Sequence, residues 1–351
     1  MSDLRLGIIG AGNLSSRRIY PCLRFLPVQL AAVCDLDCER AERNARVFGG
    51  QAVYTDYQHM LTEANLDAVI VCVGPELHHK LAIAVMEAGL PVYTEKPPAV
   101  LAADARAMLE TKQRTGQICM TGFKKRFAPA YQKAKAAIAS ESFGQPTLLS
   151  IDYACGPSYT NDPANPRSQF LLDFTVHIID LSRFLFGEVA EVFARKVNEA
   201  AYAVNLAFRN GAVGVLALSS NRAWRVSTEK VELTGGPGQF MSLENSVQLI
   251  RYNGDEIVDW HNPSFSTAGG DSLIETGFSG ELVEFVSAIR EQREPESSIS
   301  SSYQTMRLYE AIARSAVQPN HDPVSGRAAV AVDAGCRIHV VHHQIQVAVA
   351  V

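Results

Sequence analysis

Three short stretches hold side chains suited to proton and charge chemistry. The first is Thr94-Glu95-Lys96-Pro97-Pro98. Two prolines stiffen this loop. An ammonium there can polarise a hydroxyl or carbonyl and stabilise negative charge developing on its oxygen. The plainer alternative is a surface lysine on a rigid loop. The second is Asp173-Phe174-Thr175-Val176-His177. Residues four apart on a helix share one face, so this spacing presents a carboxylate beside an imidazole. Histidine exchanges protons near neutral pH, and a nearby carboxylate orients it and stabilises its cation. A helix surface or cap could carry the same pair. The apolar neighbours Leu171, Leu172, Phe174, Val176, Ile178 and Ile179 argue against a merely solvated one. Asp180 follows one turn later on a similar face. The third stretch is Cys72-Val73-Gly74-Pro75-Glu76-Leu77-His78-His79. It ends a strand and opens a helix, and His79 either meets a ligand or caps and packs the helix start.

These groups need a scaffold, and the first residues predict one. An apolar strand, Leu4–Ile9, runs into Gly10-Ala11-Gly12-Asn13-Leu14-Ser15. Helix-forming sequence follows to Leu26. A second apolar strand, Val28–Cys34, ends at Asp35, 23 residues past Gly12. That is the layout of a dinucleotide-binding βαβ unit, although Ser15 stands where a third glycine is common. Gly10 permits the tight turn, Gly12 lets backbone amides approach a pyrophosphate, and the helix start favours anionic oxygens. Asp35 is placed to accept hydrogen bonds from the adenosine ribose. Its carboxylate would repel a 2′-phosphate, which favours NAD over NADP. Ala11, Leu14, Cys72 and Pro75 complete the two turns that would border the cofactor. Arg40, a turn into the next helix, either covers the adenine or stands in solvent.

At 351 residues the chain is long for a single core. It is 47% hydrophobic and 20% charged with a net charge of −5, a soluble globular composition without a nucleic-acid footprint. The seven cysteines form no Cys-x-x-Cys pair. Reduced thiols in a cytoplasmic protein are the expectation. No stretch is apolar enough to span a bilayer, and no metal set stands out, the His339/His342/His343 tail included.

The first third alternates strands (4–9, 28–34, 68–73, 91–93, 118–121) with helices (15–26, 37–48, 57–63, 77–88, 102–114). That rhythm predicts a parallel sheet covered on both faces. Beyond a helix at 129–140 and another at 173–186, seven strands between 190 and 260 read as a mainly antiparallel sheet. Two helices follow, at 280–292 and 302–316. The expected fold is thus α/β. An N-terminal Rossmann domain (1–122) precedes an α+β domain with a large antiparallel sheet (123–318), then an atypical tail (319–351). The tail's alternation could add a strand to a sheet edge.

With these motifs in order, the chain resembles the glucose–fructose oxidoreductase / inositol dehydrogenase (Gfo/Idh/MocA) family. The matching pieces are the Gly10/Gly12 turn and Gly74-Pro75-x-x-x-His79. They continue with Ala88-Gly89-Leu90-Pro91-Val92-Tyr93-Thr94-Glu95-Lys96-Pro97, Gly122-Phe123-Lys124-Lys125-Arg126-Phe127-Ala128-Pro129, and Asp173-x-x-x-His177-x-x-Asp180. Ser168-Gln169-Phe170 and Thr175 stand where the family often has glycine. The resemblance implies Lys96 as the catalytic lysine and Asp173 with His177 as the substrate-side pair. It implies a cofactor lined by Gly10, Gly12, Asn13, Asp35, Gly74 and Glu95, with Arg126 and Asp180 as substrate contacts. It further implies hydride transfer between NAD and a secondary hydroxyl of a sugar, cyclic polyol or sugar derivative, in a homodimer or homotetramer. The Lys96 loop and the His177 helix are then expected to converge on one cleft. Two other readings use the same residues: an NAD-retaining glycosidase or lyase, and a non-catalytic NAD-binding sensor.

Overall fold

The computed structural model describes residues 3–157, 162, 164–166, 169–263, 271–317, 328–331 and 340–342. The chain forms two compact units and crosses between them more than once. One takes 1–133, 164–167 and 261–306, and the other takes the remainder.

In the first unit, β1 (Leu4–Ile9), β2 (Val28–Cys34), β3 (Ala52–Tyr54), β4 (Ala68–Val71), β5 (Val92–Glu95) and β6 (Cys119–Gly122) form one parallel sheet. The order is β3-β2-β1-β4-β5-β6. The strand sequence therefore reverses between β1 and β4, and a ligand crevice opens at the carboxyl ends beside such a switch. Helices α1 (Cys38–Phe48), α2 (Tyr57–Glu63), α3 (Pro75–Glu87) and α4 (Ala102–Thr115) supply the crossovers. Leu6, Ile8, Ile70 and Tyr93 are fully buried between the layers. Local chemistry sets the helix ends. Asp37 caps α1 by accepting from the Arg40 amide at 3.2 Å, and Gly49 closes it at φ +79°.

Two departures from expectation lie here. Strand β3 has only three residues, all half-buried at the sheet edge, too short a run to read from periodicity. The helical pattern of 15–26 is not an α-helix. Ser15–Ile19 is a π-turn, and the Tyr20 amide bonds Ser15 O. Tyr20–Phe25 is a 3₁₀ turn with Pro21 near its start. Proline brings no N–H to an i→i−4 ladder. The Ser15 and Ser16 hydroxyls also bond back to Gly12 O, at 3.0 and 2.8 Å, competing for the carbonyl of the first turn.

The second unit is built on a ten-stranded sheet of order β14-β13-β12-β11-β7-β10-β9-β8-β15-β16. Its strands are β7 (Leu148–Ala154), β8 (Val189–Val197), β9 (Ala201–Phe208), β10 (Val213–Ser219), β11 (Thr228–Thr234), β12 (Gln239–Glu244), β13 (Gln248–Asn253), β14 (Glu256–His261), β15 (Ala328–Ala331) and β16 (Val340–His342). β7 and β10 run parallel. The β8–β9, β9–β10, β7–β11, β11–β12 and β12–β13 ladders are antiparallel. Side chains alternate as a half-covered sheet requires. Val204, Leu206, Leu216, Leu218, Val231 and Leu233 are buried, while Val213 and Val215 are exposed. Helix α5 (Pro129–Ile138) leads into this unit. The short α6 (Phe170–Asp173) and α7 (Val176–Phe186) follow β7, and every residue of α7 is buried. Most of the Gly156–Gln169 loop, and of the 319–351 tail apart from β15 and β16, lies outside the described residues.

The chain then returns. Helices α8 (Ser272–Glu275) and α9 (Phe278–Glu291) belong to the first unit, and α10 (Ile299–Val317) begins there. Leu273, Phe278, Leu282 and Phe285 join one core with Ile8, Tyr93 and Met120. Segment 261–306, expected within 123–318, thus completes the core of the first unit.

Candidate functional site

The turn after β1 has two glycines with different duties. Gly10 has φ +109°, and a Cβ there would stand 2.1 Å from Cys72 O at the end of β4. Backbone contact forces this glycine. A Cβ on Gly12 would meet no atom within 4 Å, so Gly12 faces open space, which a pyrophosphate needs. Asn13 and Leu14 beside it are exposed. Asp35 sits where the spacing puts it, half-buried at the end of β2. Its Oδ2 accepts the Ala11 amide at 2.6 Å and its Oδ1 the Asp37 amide at 2.9 Å. A carboxylate has about four lone-pair sites, so acceptor capacity for ribose hydroxyls remains after it has braced the turn. Gly74 and Pro75 are buried at the start of α3. Burial pushes the Cys72 thiol well above its ordinary range, which makes it wall rather than nucleophile. Arg40 pairs with Asp37 at 2.9 Å on the exposed face of α1. These residues fit a dinucleotide.

Lys96 follows β5 and is half-buried. Its amide donates to the Oε2 atom of Glu95 at 3.0 Å, and the Lys96–Pro97 peptide is cis. The next carbonyl, Pro97 O, takes Nδ1–H of His78 at 2.7 Å. Burial pushes His78 down to about 4, so the ring is neutral and donates. His78 thus anchors the lysine loop, and His79 at the next position is only half-buried. Helical periodicity would have selected His78, because it shares the inward face of α3 with Leu81, Ala82 and Val85. Arg126 is buried in this unit, with its guanidinium on Glu296 O at 2.8 Å and Ser301 Oγ at 2.9 Å.

In the second unit, Asp173 and His177 do not lie on one continuous helix. Asp173 ends α6 and His177 is in the first turn of α7. Thr175 makes the break. Its hydroxyl takes Leu171 O at 2.7 Å and its amide reaches back to Phe170 O at 3.3 Å. This competes with the helical ladder, so the one-face argument for the pair is replaced by a kinked junction. His177 and Asp180 are buried, and Asp173 is half-buried. The charge of Asp173 reaches the end of β7. Burial first, then its charge, pushes the Cys155 thiol up to about 11. Burial first, then Cys155, Glu229 and Asp173, raise Tyr153. The Trp224 ring lies over Gly156, where a Cβ would be 2.5 Å from it.

Among the described residues, no group of three or more His, Cys, Asp or Glu could hold a metal ion, and no helix is long and apolar enough to cross a membrane.

The family model described as an oxidoreductase family with an NAD-binding Rossmann fold matches residues 4–123. The model of the GFO/IDH/MocA C-terminal domain matches residues 131–240. Among relatives, myo-inositol 2-dehydrogenase of Thermotoga maritima is 29% identical over 72% of this chain and 80% of its own. The 4-carboxy-2-hydroxymuconate-6-semialdehyde dehydrogenase of Sphingobium sp. is 27% identical over 85% of this chain and 94% of its own. Levoglucosan dehydrogenase, solved with NADH and levoglucosan, shares the fold with a TM-score of 0.80 at 22% identity, over 90% of this chain and 97% of that one. Two consecutive domain matches, on a Rossmann sheet with its glycine turn and on the large, mainly antiparallel sheet that follows it in the chain, place the chain in the Gfo/Idh/MocA family, as an NAD(P)-dependent dehydrogenase.

Proposed function

We propose that this enzyme moves a hydride between NAD and a secondary hydroxyl of a sugar, cyclic polyol or sugar derivative. The observation that carries the reading is Lys96. It stands on a loop anchored by Glu95 and His78, in the same unit as the open glycine turn. When bound, the nicotinamide supplies the hydride acceptor. Lys96 hydrogen-bonds the reacting oxygen and stabilises its negative charge. His177 takes the hydroxyl proton, Asp173 orients the imidazole, and Asp180 contacts the substrate. Arg126 is kept as a substrate contact, two of its donors being held by Glu296 O and Ser301 Oγ. Asp35 favours NAD, since a 2′-phosphate would meet its carboxylate. The open face of the large sheet, with Leu148, Val213 and Val215 exposed, supports a homodimer or homotetramer. The six described cysteines, all free and five of them buried, support a reducing cytoplasm.

The test is a panel of sugars, polyols and their oxidised forms, read at the NADH absorbance band with NAD and NADP. One hydroxy-semialdehyde is included because a relative bears that name. Lys96→Ala and His177→Ala should each lose about 10²–10⁴-fold in turnover and keep NADH binding. Near-normal turnover in either variant would overturn the roles. A preference for NADP would overturn the reading of Asp35. Cofactor that copurifies without net NADH formation would favour the NAD-retaining lyase instead.

A further inference from the structure

Behind Lys96, within the first unit, three polar side chains are sealed from water. Glu281, in the first turn of α9, and Tyr93 on β5 are fully buried, and Glu95 is 3% exposed. Tyr93 Oη, Glu95 Oε1 and both oxygens of Glu281 have no partner in good hydrogen-bond geometry. They crowd one another. A Cβ on Gly122 of β6 would stand 2.2 Å from Tyr93 Oη and 3.4 Å from Glu281 Oε2. Only glycine leaves this space to the phenol and the carboxyl.

Two carboxylates cannot both stay charged in so dry a place. The groups facing them come from five elements. Tyr93 shares β5 with Glu95, and Cys72 sits at the end of β4. Cys22 lies in the 3₁₀ turn after the glycine loop, Lys96 follows β5, and Lys124 follows β6. Burial raises both carboxyls, and the charge of Glu95 raises Glu281 further, well above the usual range. At Glu95 the Lys96 ammonium, the Lys96 amide, Lys124 and a hydrogen bond from the Tyr93 phenol oppose burial in that order, and the same phenol interacts with Glu281. Burial also keeps both thiols and the phenol neutral.

We propose that Glu281 is a positioning residue for Lys96, protonated at neutral pH and giving its proton as a hydrogen bond to the Tyr93 phenol, which in turn donates its own to an ionised Glu95. Glu95 in turn holds the Lys96 amide through Oε2. Glu281 thereby fixes the backbone that carries the lysine without touching substrate. The inference rests on Lys96 being the lysine that faces the reacting oxygen. At alkaline pH the shared proton leaves, the two charges repel, and Glu95 releases the Lys96 amide.

Two measurements on the whole protein test this without turnover. The infrared spectrum at pH 7 should show a protonated carboxylic-acid stretch that shifts in D₂O and is absent from Glu281→Gln. No such band in the wild-type protein overturns the proposal. Hydrogen exchange read by mass spectrometry should find the Lys96 amide as protected in Glu281→Gln as in wild type, because the amide still donates. In Glu281→Leu, which cannot donate, exchange should be about tenfold faster. Protection in wild type should fade at alkaline pH and persist in Glu281→Gln. Equal protection in all three proteins at every pH overturns the proposal. Failure of every polyol to react would instead overturn the dehydrogenase reading and leave both readouts intact.

Discussion

The main-chain amide of Ala11 donates to Asp35 Oδ2 at 2.6 Å. The turn that should cradle the pyrophosphate and the acid that should hold the ribose are therefore one hydrogen-bonded piece. Substituting the acid should disturb both. Asp35→Ala removes a charged hydrogen bond, which contributes about 1.5–3 kcal/mol. NADH affinity should fall roughly ten- to a hundredfold in a fluorescence titration, and discrimination against NADPH should weaken. Unchanged affinity and selectivity would remove Asp35 from the site.

The two glycines of that turn should fail differently. Gly10→Ala puts a methyl 2.1 Å from Cys72 O at positive φ. Strain of this kind costs about 1–3 kcal/mol before the clash is counted, so urea denaturation should show a clear loss of stability. Gly12→Ala projects its methyl into open space. It should unfold like wild type yet bind NADH weakly. Equal effects on stability from the two would contradict this division.

His78 links stability to pH. Its folded-state value is pushed down from 6.5 to about 4, chiefly by burial. Between those values the unfolded chain binds a proton that the folded chain refuses. The stabilisation is present above pH 6.5 and is lost as pH falls toward 4, by about 3 kcal/mol in all. Melting temperature should drop across that window in wild type and drop less in His78→Asn. Parallel curves would assign the acid sensitivity to other groups.

The returning segment should be essential to the first core. Phe285 is fully buried and its ring lies 5.9 Å from that of Tyr93. Phe285→Ala should cost about 3–5 kcal/mol, measured by chemical denaturation. A fragment ending at Gly122 lacks the core residues Leu273, Phe278, Leu282 and Phe285 and should not give a cooperative unfolding transition.

Much of this molecule is legible in its residue order. Strand and helix periods, the Gly10/Gly12 turn with Asp35 at its distance, the Lys96 loop and the family signature all come from local spacing, and a local hydrogen-bond ladder reproduces local spacing. The β-strands of 189–261 fall within a residue or two of their apolar alternation for the same reason. What spacing could not decide depends on which side chain wins a shared partner. Thr175 takes the Leu171 carbonyl and splits the helix that Asp173 and His177 were expected to share. Pro21 and two serines turn an expected α-helix into π and 3₁₀ turns. His78 rather than His79 reaches Pro97 O, because only one of two adjacent positions can face inward. Glu281, 186 residues after Glu95 in the chain, comes to share Tyr93 with it only because α9 folds back onto the first core. Sequence sets which groups each segment offers. Burial, which is a property of the assembled layers, decides which of them become charged, paired or silent.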